Sequence, residues 1–503
     1  ESLTSFGNVQ EKQLMADTEK EKSLLPGRRN HAGNLTLPEK KVQEAICVLL
    51  VELCERFTFF GIVCNMILFC TVRLGYRNYQ AAIVNMCFVG TSMLTPVLAG
   101  WLAECLVGRI KLVCICMFLH FLGTALLPIV AFPFEDIYID KRHILLHTLT
   151  KKEQKIVFYF ALLTASLGIG GIRAIVCPLS AYNLENCGPK ELLSFFNWFY
   201  WLINLNSAVV FVSISYIQQS VARNLGFLLP FVSVLMAMIT IHMVRGKMIY
   251  KPKTDSSLLT TFGVIGSALK MCCVRYRYFS GDVSSWLDHA KEYHGGRYSE
   301  TQVESTKSLA RLFPLFAFQI LYRTCIMQVS KQLFKPNLKK DCLLPCYKAW
   351  CKLCWFLMIL MWYSCNCNLG EHSALNPVAG HLSAALSVMV AGFSEIHRKH
   401  FPQVEQTLSE EVLLVSSMPC FHLAPQYILL GVAEALVTPS CSLLSFWLVP
   451  ERIRGISMHF LTLFNGAGCF MGAFFVQTAH TGTQGKNMPM TGVPEQFSNP
   501  TDY

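Results

Sequence analysis

Val51-Glu52-Leu53-Cys54-Glu55-Arg56-Phe57-Thr58-Phe59-Phe60-Gly61 places three ionisable residues inside an apolar run that extends from Ala45 to Cys70. A run of that length spans a bilayer as a helix. Charged side chains in the middle of such a helix cost roughly 3 kcal/mol each on insertion scales, so they mark a partner or a polar cavity. Helical spacing puts Glu52, Glu55 and Arg56, at i, i+3 and i+4, on one face. That face must turn toward a cavity or another helix.

The rest of the chain repeats the apolar run. Of its 503 residues 53% are hydrophobic and 15% charged, and the hydrophobic residues arrive in membrane-length runs. The chain is therefore expected to be an all-α polytopic membrane protein whose first partner is the lipid bilayer. Its net charge of +11 falls mostly between the apolar runs, where it sets orientation and does not call for nucleic acid. Residues 1–41 lack the order of a signal peptide, so the first span is expected to direct insertion itself. The sequon Asn34-Leu35-Thr36 lies in this tail and reads as a chance match if the tail is cytosolic. Cys47, Cys54, Cys64, Cys87, Cys114 and Cys116 lie in apolar runs, where a thiol packs as a small hydrophobe, and no disulfide framework is expected.

Six spans are expected in the first half, at about Glu44–Val72, Ala81–Ala103, Ile110–Phe132, Lys155–Ala181, Ser194–Ile217 and Gly226–Val244. A hydrophilic linker, residues 245–308, follows; its basic flank Arg245, Lys247 and Lys251 places it and the tail 1–43 in the cytosol. Further spans are expected at about Leu309–Gln328, Pro377–Ile396, Phe421–Val449 and Ile456–Ala479, with a weaker apolar stretch at Trp350–Tyr363. Polar, basic residues from Lys331 to Lys352 occupy the place of a regular span 8, and a polar tail, 481–503, stands where span 12 would be. Two halves, 44–244 and 309–480, joined by a long linker are a frequent plan of secondary transporters.

Other charges recur at bilayer depth. Arg173 follows the glycines at 168, 170 and 171, which allow its helix to approach a neighbour closely. Glu434 precedes Pro439, which frees a backbone carbonyl beside the acid. Several ionisable residues on different spans point to an ion or substrate path. Asn204 and Asn206 in span 5 are pocket candidates, Trp198 and Trp201 fit an interfacial belt, and span 7 holds Tyr322. Cys342, Cys346, Cys351 and Cys354 lack zinc-site spacing, and His397 and His400 read as a solvated helix end. With no phosphate loop, nucleophile elbow or metalloprotease motif, neither an enzyme nor an organic cofactor is expected.

These stretches resemble the proton-coupled oligopeptide transporters of the major facilitator superfamily, solute carrier family 15, and most nearly their peptide/histidine branch. The resemblance is carried by ELCERFTFFG (52–61), GWLAECLVGR (100–109), GIGGIRAIVCPLSAY (168–182), FFNWFYWLINLNSA (195–208), ISYIQQSV (214–221) and YHGGRYSETQVESTKSLARLFP (293–314). It covers residues 42–328 well and 378–476 more loosely. It implies two six-helix halves, with helix 8 atypical and helix 12 apparently missing, and symport of small peptides or histidine with protons by alternating access. It implies proton coupling at Glu52, Glu55 and Arg56. It implies substrate contacts at Arg173, where the family has a lysine, at Asn204, and at Glu434, which would receive an amino terminus. Phe59 and Phe60 stand at substrate positions that the family fills with tyrosines, and Tyr322 is grouped with them. Val63, Met86, Tyr182 and Asn183 replace an arginine, a histidine and an Asp-Gln pair of the family pattern. A competing reading is a transport-inactive membrane scaffold or truncated isoform. Either reading makes a multi-pass protein with a cytosolic N-terminus, in the plasma membrane or an endolysosomal membrane.

Overall fold

A chain in hydrocarbon must satisfy its backbone hydrogen bonds internally, which makes each long apolar run a helix. The computed structural model describes residues 39–72, 74–131, 151–184, 189–217, 225–244, 257–275, 285–294, 296–332, 375–408, 411–450 and 453–486. The helices of the first half are α1 (Glu39–Val72), α2 (Asn78–Cys105), α3 (Arg109–Ala131), α4 (Lys151–Leu184), α5 (Pro189–Tyr216) and α6 (Leu225–Val244). They are followed by α7 (Ser257–Arg275), α8 (Glu300–Ala310), α9 (Phe313–Gln332), α10 (Leu375–Lys399), α11 (Ala424–Trp447) and α12 (Arg454–Lys486). Among the described residues, nine helical segments are long and apolar enough to cross a membrane.

The outward surface agrees with that count. On α10, Val378, Leu382, Leu386, Met389, Phe393 and Ile396 are exposed at three- and four-residue spacing, and Phe118, Phe160 and Met236 are exposed on α3, α4 and α6. In water such apolar stripes would drive association. In a bilayer they are the face that lipid covers, and the protein is a multi-pass membrane protein.

Inside, small residues bring backbones together. A Cβ on Gly168 would lie 2.6 Å from the Cys116 carbonyl oxygen, and one on Gly123 would lie 2.7 Å from that of Ala161, so α3 and α4 touch along their backbones. Across the two halves of the sequence, α2 packs on α12, where a Cβ on Gly90 would strike the Phe470 ring at 2.7 Å. Met86, Phe88 and Val89 share one buried cluster with Cys469 and Ala473 as a result. Proline shapes the α1–α6 contact. Pro230 has no N–H for the Gly226 carbonyl one turn earlier, and the Asn65 amide donates to that carbonyl instead.

Three features differ from the sequence expectation. The supposed linker contains α7, whose Leu258 joins the core of α9 to α12 while Val264 and Ala268 bury against Leu287, Ala290 and Val303. Beside them the nearly buried Asp288 carboxylate takes Lys291 at 3.1 Å and Lys307 at 2.6 Å. The Glu304 and Asp288 carboxylates hold the Lys291 ammonium above the ordinary lysine range, so its contribution is complete at neutral pH and lost only in strong base. An antiparallel hairpin, β1 (Gln403–Leu408) with β2 (Glu411–Ser416), follows α10, so the fold is nearly rather than wholly helical. The end of α10 is exposed at His397 and His400, as expected of a solvated helix end, and the His397 ring contacts those of Phe401 and His422, 5.1 and 5.6 Å between centroids. Finally, α12 runs on to Lys486, into the stretch read as a polar tail. The sequon at Asn34, Cys342, Cys346, Cys351, Cys354 and the irregular span 8 region lie outside the described residues, as do the side chains of Glu104 and Arg109.

Replacing Gly168 with Val should lower stability by about 1–3 kcal/mol through overpacking against the α3 backbone. A Gly266→Ala change, where no atom lies within 4 Å of the new methyl, should be neutral or stabilising by up to about 1 kcal/mol. Thermal unfolding of the two variants in detergent checks both signs.

Candidate transport site

The charges of α1 find their partners on the same helix and on α4. Arg56 donates to Glu52 Oε1 from Nη2 at 2.8 Å and from Nε at 3.2 Å, and its Nε lies 3.4 Å from Glu55 Oε2. Arg173 of α4 donates from Nε to Glu55 Oε1 at 3.1 Å. The Glu52 and Glu55 side chains are 1% and 0% exposed, so this is a buried four-charge group with Glu55 between two guanidiniums. Its formal charges cancel. The low dielectric around it makes each pairing strong, and makes any unpaired member costly.

Neighbouring groups hold α1 in place. Asn206 of α5 donates to the Leu53 carbonyl at 2.8 Å, Ser233 of α6 donates to that of Cys54 at 3.0 Å, and Thr58 donates to that of Pro230 at 3.2 Å. Phe59 lies under Arg173, 4.3 Å from the guanidinium carbon to the ring centroid, and stacks on Phe88 at 5.9 Å. A cation over an aromatic face gains roughly 0.5–2 kcal/mol, the larger figure when desolvated. Phe59 thus supports Arg173 directly, while the half-buried Phe60 packs toward Phe211, 6.1 Å between centroids.

A second group forms where α5 meets α11. The Tyr200 hydroxyl donates to the Glu434 carbonyl oxygen at 3.1 Å, and Tyr200 and Trp201 pack on Ala435. The Glu434 carboxylate faces Arg323 of α9 at 3.8 Å. Tyr322, 4% exposed, lies among Glu434, Tyr200 and Arg323, with its ring 5.3 Å from that of His381. Asn204 instead donates to the Tyr200 carbonyl of its own helix at 2.9 Å, holding the turn that carries Tyr200. The expected residues thus fall into two groups: Glu52, Glu55, Arg56, Arg173 and Phe59 in the first half, Glu434 and Tyr322 in the second. Asn204 is tied to the second group through Tyr200.

Sequence reasoning missed two members, one half-buried and one fully buried. Arg323 stands in an apolar run and carried the same signal that singled out Arg173. His120 of α3 is completely buried beside Arg173, and neither ring nitrogen has a hydrogen-bond partner among the described residues. Its single polar ring in span 3 carried a weaker signal. Among the described residues no three His, Cys, Asp or Glu are placed to hold a metal ion.

The two charge groups lie within an apolar, nearly all-helical membrane bundle, and comparison with known proteins gives its class. The family model described as "PTR2: POT family" matches residues 110–335. Solute carrier family 15 member 5 of Homo sapiens is 53% identical over 506 aligned residues, covering 97% of this chain and 86% of that protein. The crystal structure of an auto inhibited POT family peptide transporter superposes with a TM-score of 0.64 at 16% identity, covering 88% of this chain and 91% of the other. A POT family transporter in complex with 5-aminolevulinic acid gives a TM-score of 0.62 at 14% identity, covering 90% and 93%. The chain belongs to the POT family of transporters, within solute carrier family 15.

Replacing Glu55 with Gln leaves Arg173 without its carboxylate and should lower stability by about 3–5 kcal/mol at neutral pH. Adding Arg173→Met should recover most of that loss, because the orphaned charge leaves with its partner. Thermal or denaturant unfolding of the single and double variants in detergent measures the coupling.

Proposed function

We propose that the protein is a proton-coupled symporter that moves small peptides or a single amino acid such as histidine by alternating access. The observation that carries this reading is the buried, charge-balanced group on α1 and α4, whose pairings a proton can rearrange. Glu52 Oε2 and Glu55 Oε2 both lack a hydrogen-bond partner among the described residues, and of the two acids Glu52 is paired with one guanidinium and Glu55 with two, so we take Glu52 as the proton site. Protonating Glu52 removes the strongest hold on Arg56 and leaves Glu55 as the one carboxylate that Arg56 and Arg173 share. Arg56 then leans on Glu55, and Arg173 becomes available to a substrate carboxylate. Glu434, on the opposite half and near the α5–α11 contact, is placed to take the amino end. Proton and substrate drive the cycle only if they favour the same facing state, which this shared use of Arg173 supplies.

The neighbour solved with 5-aminolevulinic acid supports a pocket on this fold for a molecule bearing one amine and one carboxylate. The retention of four ionisable side chains in one group at bilayer depth favours transport over an inert scaffold, since each is costly to place there. We assign the N-terminal tail to the cytosol on the basic flank of Arg245, Lys247 and Lys251.

Purified protein in liposomes with an inward proton gradient should accumulate radiolabelled Ala-Ala or histidine above equilibrium. Glu52→Gln should abolish accumulation and leave exchange of labelled for unlabelled substrate. Gradient-driven accumulation that survives in this variant places the proton elsewhere.

A further inference from the structure

Arg323 is the cation beside Glu434, and it is under-used. Its side chain is 17% exposed, and Nη1 stands 3.8 Å from Glu434 Oε1, too far for a hydrogen bond. Its buried Nε has no hydrogen-bond partner among the described residues. The groups that act on it are Cys469, which also takes a side-chain hydrogen bond from it, Glu434 and Tyr322, of which only Glu434 is a carboxylate. A guanidinium carries five donors and keeps its charge. At bilayer depth a cation with spare donors is stabilised by any further acceptor that arrives.

We infer that Arg323 is the receptor for an additional ligand carboxylate, so that the favoured substrates are small peptides whose first residue is acidic. The inference rests on the reading that Glu434 takes the amino terminus and Arg173 the carboxyl terminus. An N-terminal Asp or Glu carries its ammonium and its side-chain carboxylate a few bonds apart, and Glu434 and Arg323 stand side by side to match them. The carboxylate occupies the guanidinium fork as the ammonium takes Glu434, so the loose ion pair opens without baring either charge. A neutral first residue leaves Arg323 competing with the ligand ammonium for Glu434. A basic first residue adds a like charge beside Arg323 and is repelled.

Calorimetric titration of the purified full chain with Glu-Ala, Gln-Ala, Ala-Ala and Lys-Ala tests this. Glu-Ala should bind at least about tenfold tighter than the near-isosteric Gln-Ala, as expected for a charge-assisted hydrogen bond, and Lys-Ala weakest. In Arg323→Met the advantage of Glu-Ala over Gln-Ala should vanish. Equal affinities for Glu-Ala and Gln-Ala in the wild-type protein overturn the role of Arg323 and leave the peptide reading standing. A Glu-Ala preference that persists in folded Arg323→Met also overturns it. Failure of all four peptides to bind overturns the peptide reading and this inference with it.

Discussion

Glu55 is the constraint around which the first half is arranged. Its carboxylate is completely buried, and the two guanidiniums that neutralise it come from different helices, Arg56 from α1 and Arg173 from α4. Burying that many charges is tolerable only when each has a partner at close range, because desolvation costs several kcal/mol per ion. The spacing of α1 and α4 must therefore be held within a few tenths of an ångström. The neighbouring contacts serve that end: hydrogen bonds from α5 and α6 hold the α1 carbonyls of Leu53 and Cys54, and the Thr58 hydroxyl donates to the Pro230 carbonyl of α6. Glycines at 168 and 170 let α4 lie directly against α3 and α2. The fold positions the ions, and the ions in turn penalise any other packing of α1.

Much of this was legible in one dimension because the membrane makes the code coarse. Runs of apolar residues had to be helices, and charges within them had to be special, so Glu52, Glu55, Arg56, Arg173 and Glu434 stood out from the sequence. What sequence could not supply was pairing. Asn204 and Asn206 look alike two residues apart, yet one closes its own helical turn and the other reaches across to α1. Phe59 was read as a lost hydroxyl, whereas its gain is an aromatic face under Arg173. The α7 helix escaped because its apolar residues are diluted by the basic linker on either side, and its burial depends on Leu287 and Val303, far along the chain. The hairpin after α10 lacked a recognised turn signal between its strands.

The two charge groups are built to different tolerances. In the first half the pairings of the group fall between 2.8 and 3.4 Å, and the acids are sealed from the surroundings. In the second, one acid and one base stand 3.8 Å apart with side chains 25% and 17% exposed. Tight pairs in a low dielectric change only when a charge itself disappears, which is what a proton does to a carboxylate. Loose pairs yield to a competing ligand, because little is lost when they part. A cycle that needs one group to respond to protons and another to respond to substrate is served by this asymmetry. Tyr200 joins the second group from α5 of the first half, its hydroxyl on the Glu434 carbonyl, so the ligand proposed at Glu434 would act where the two halves touch. Any rocking of the halves must break or remake that hydrogen bond. Occupancy of the acid beside it is therefore coupled to the motion through a single residue of backbone.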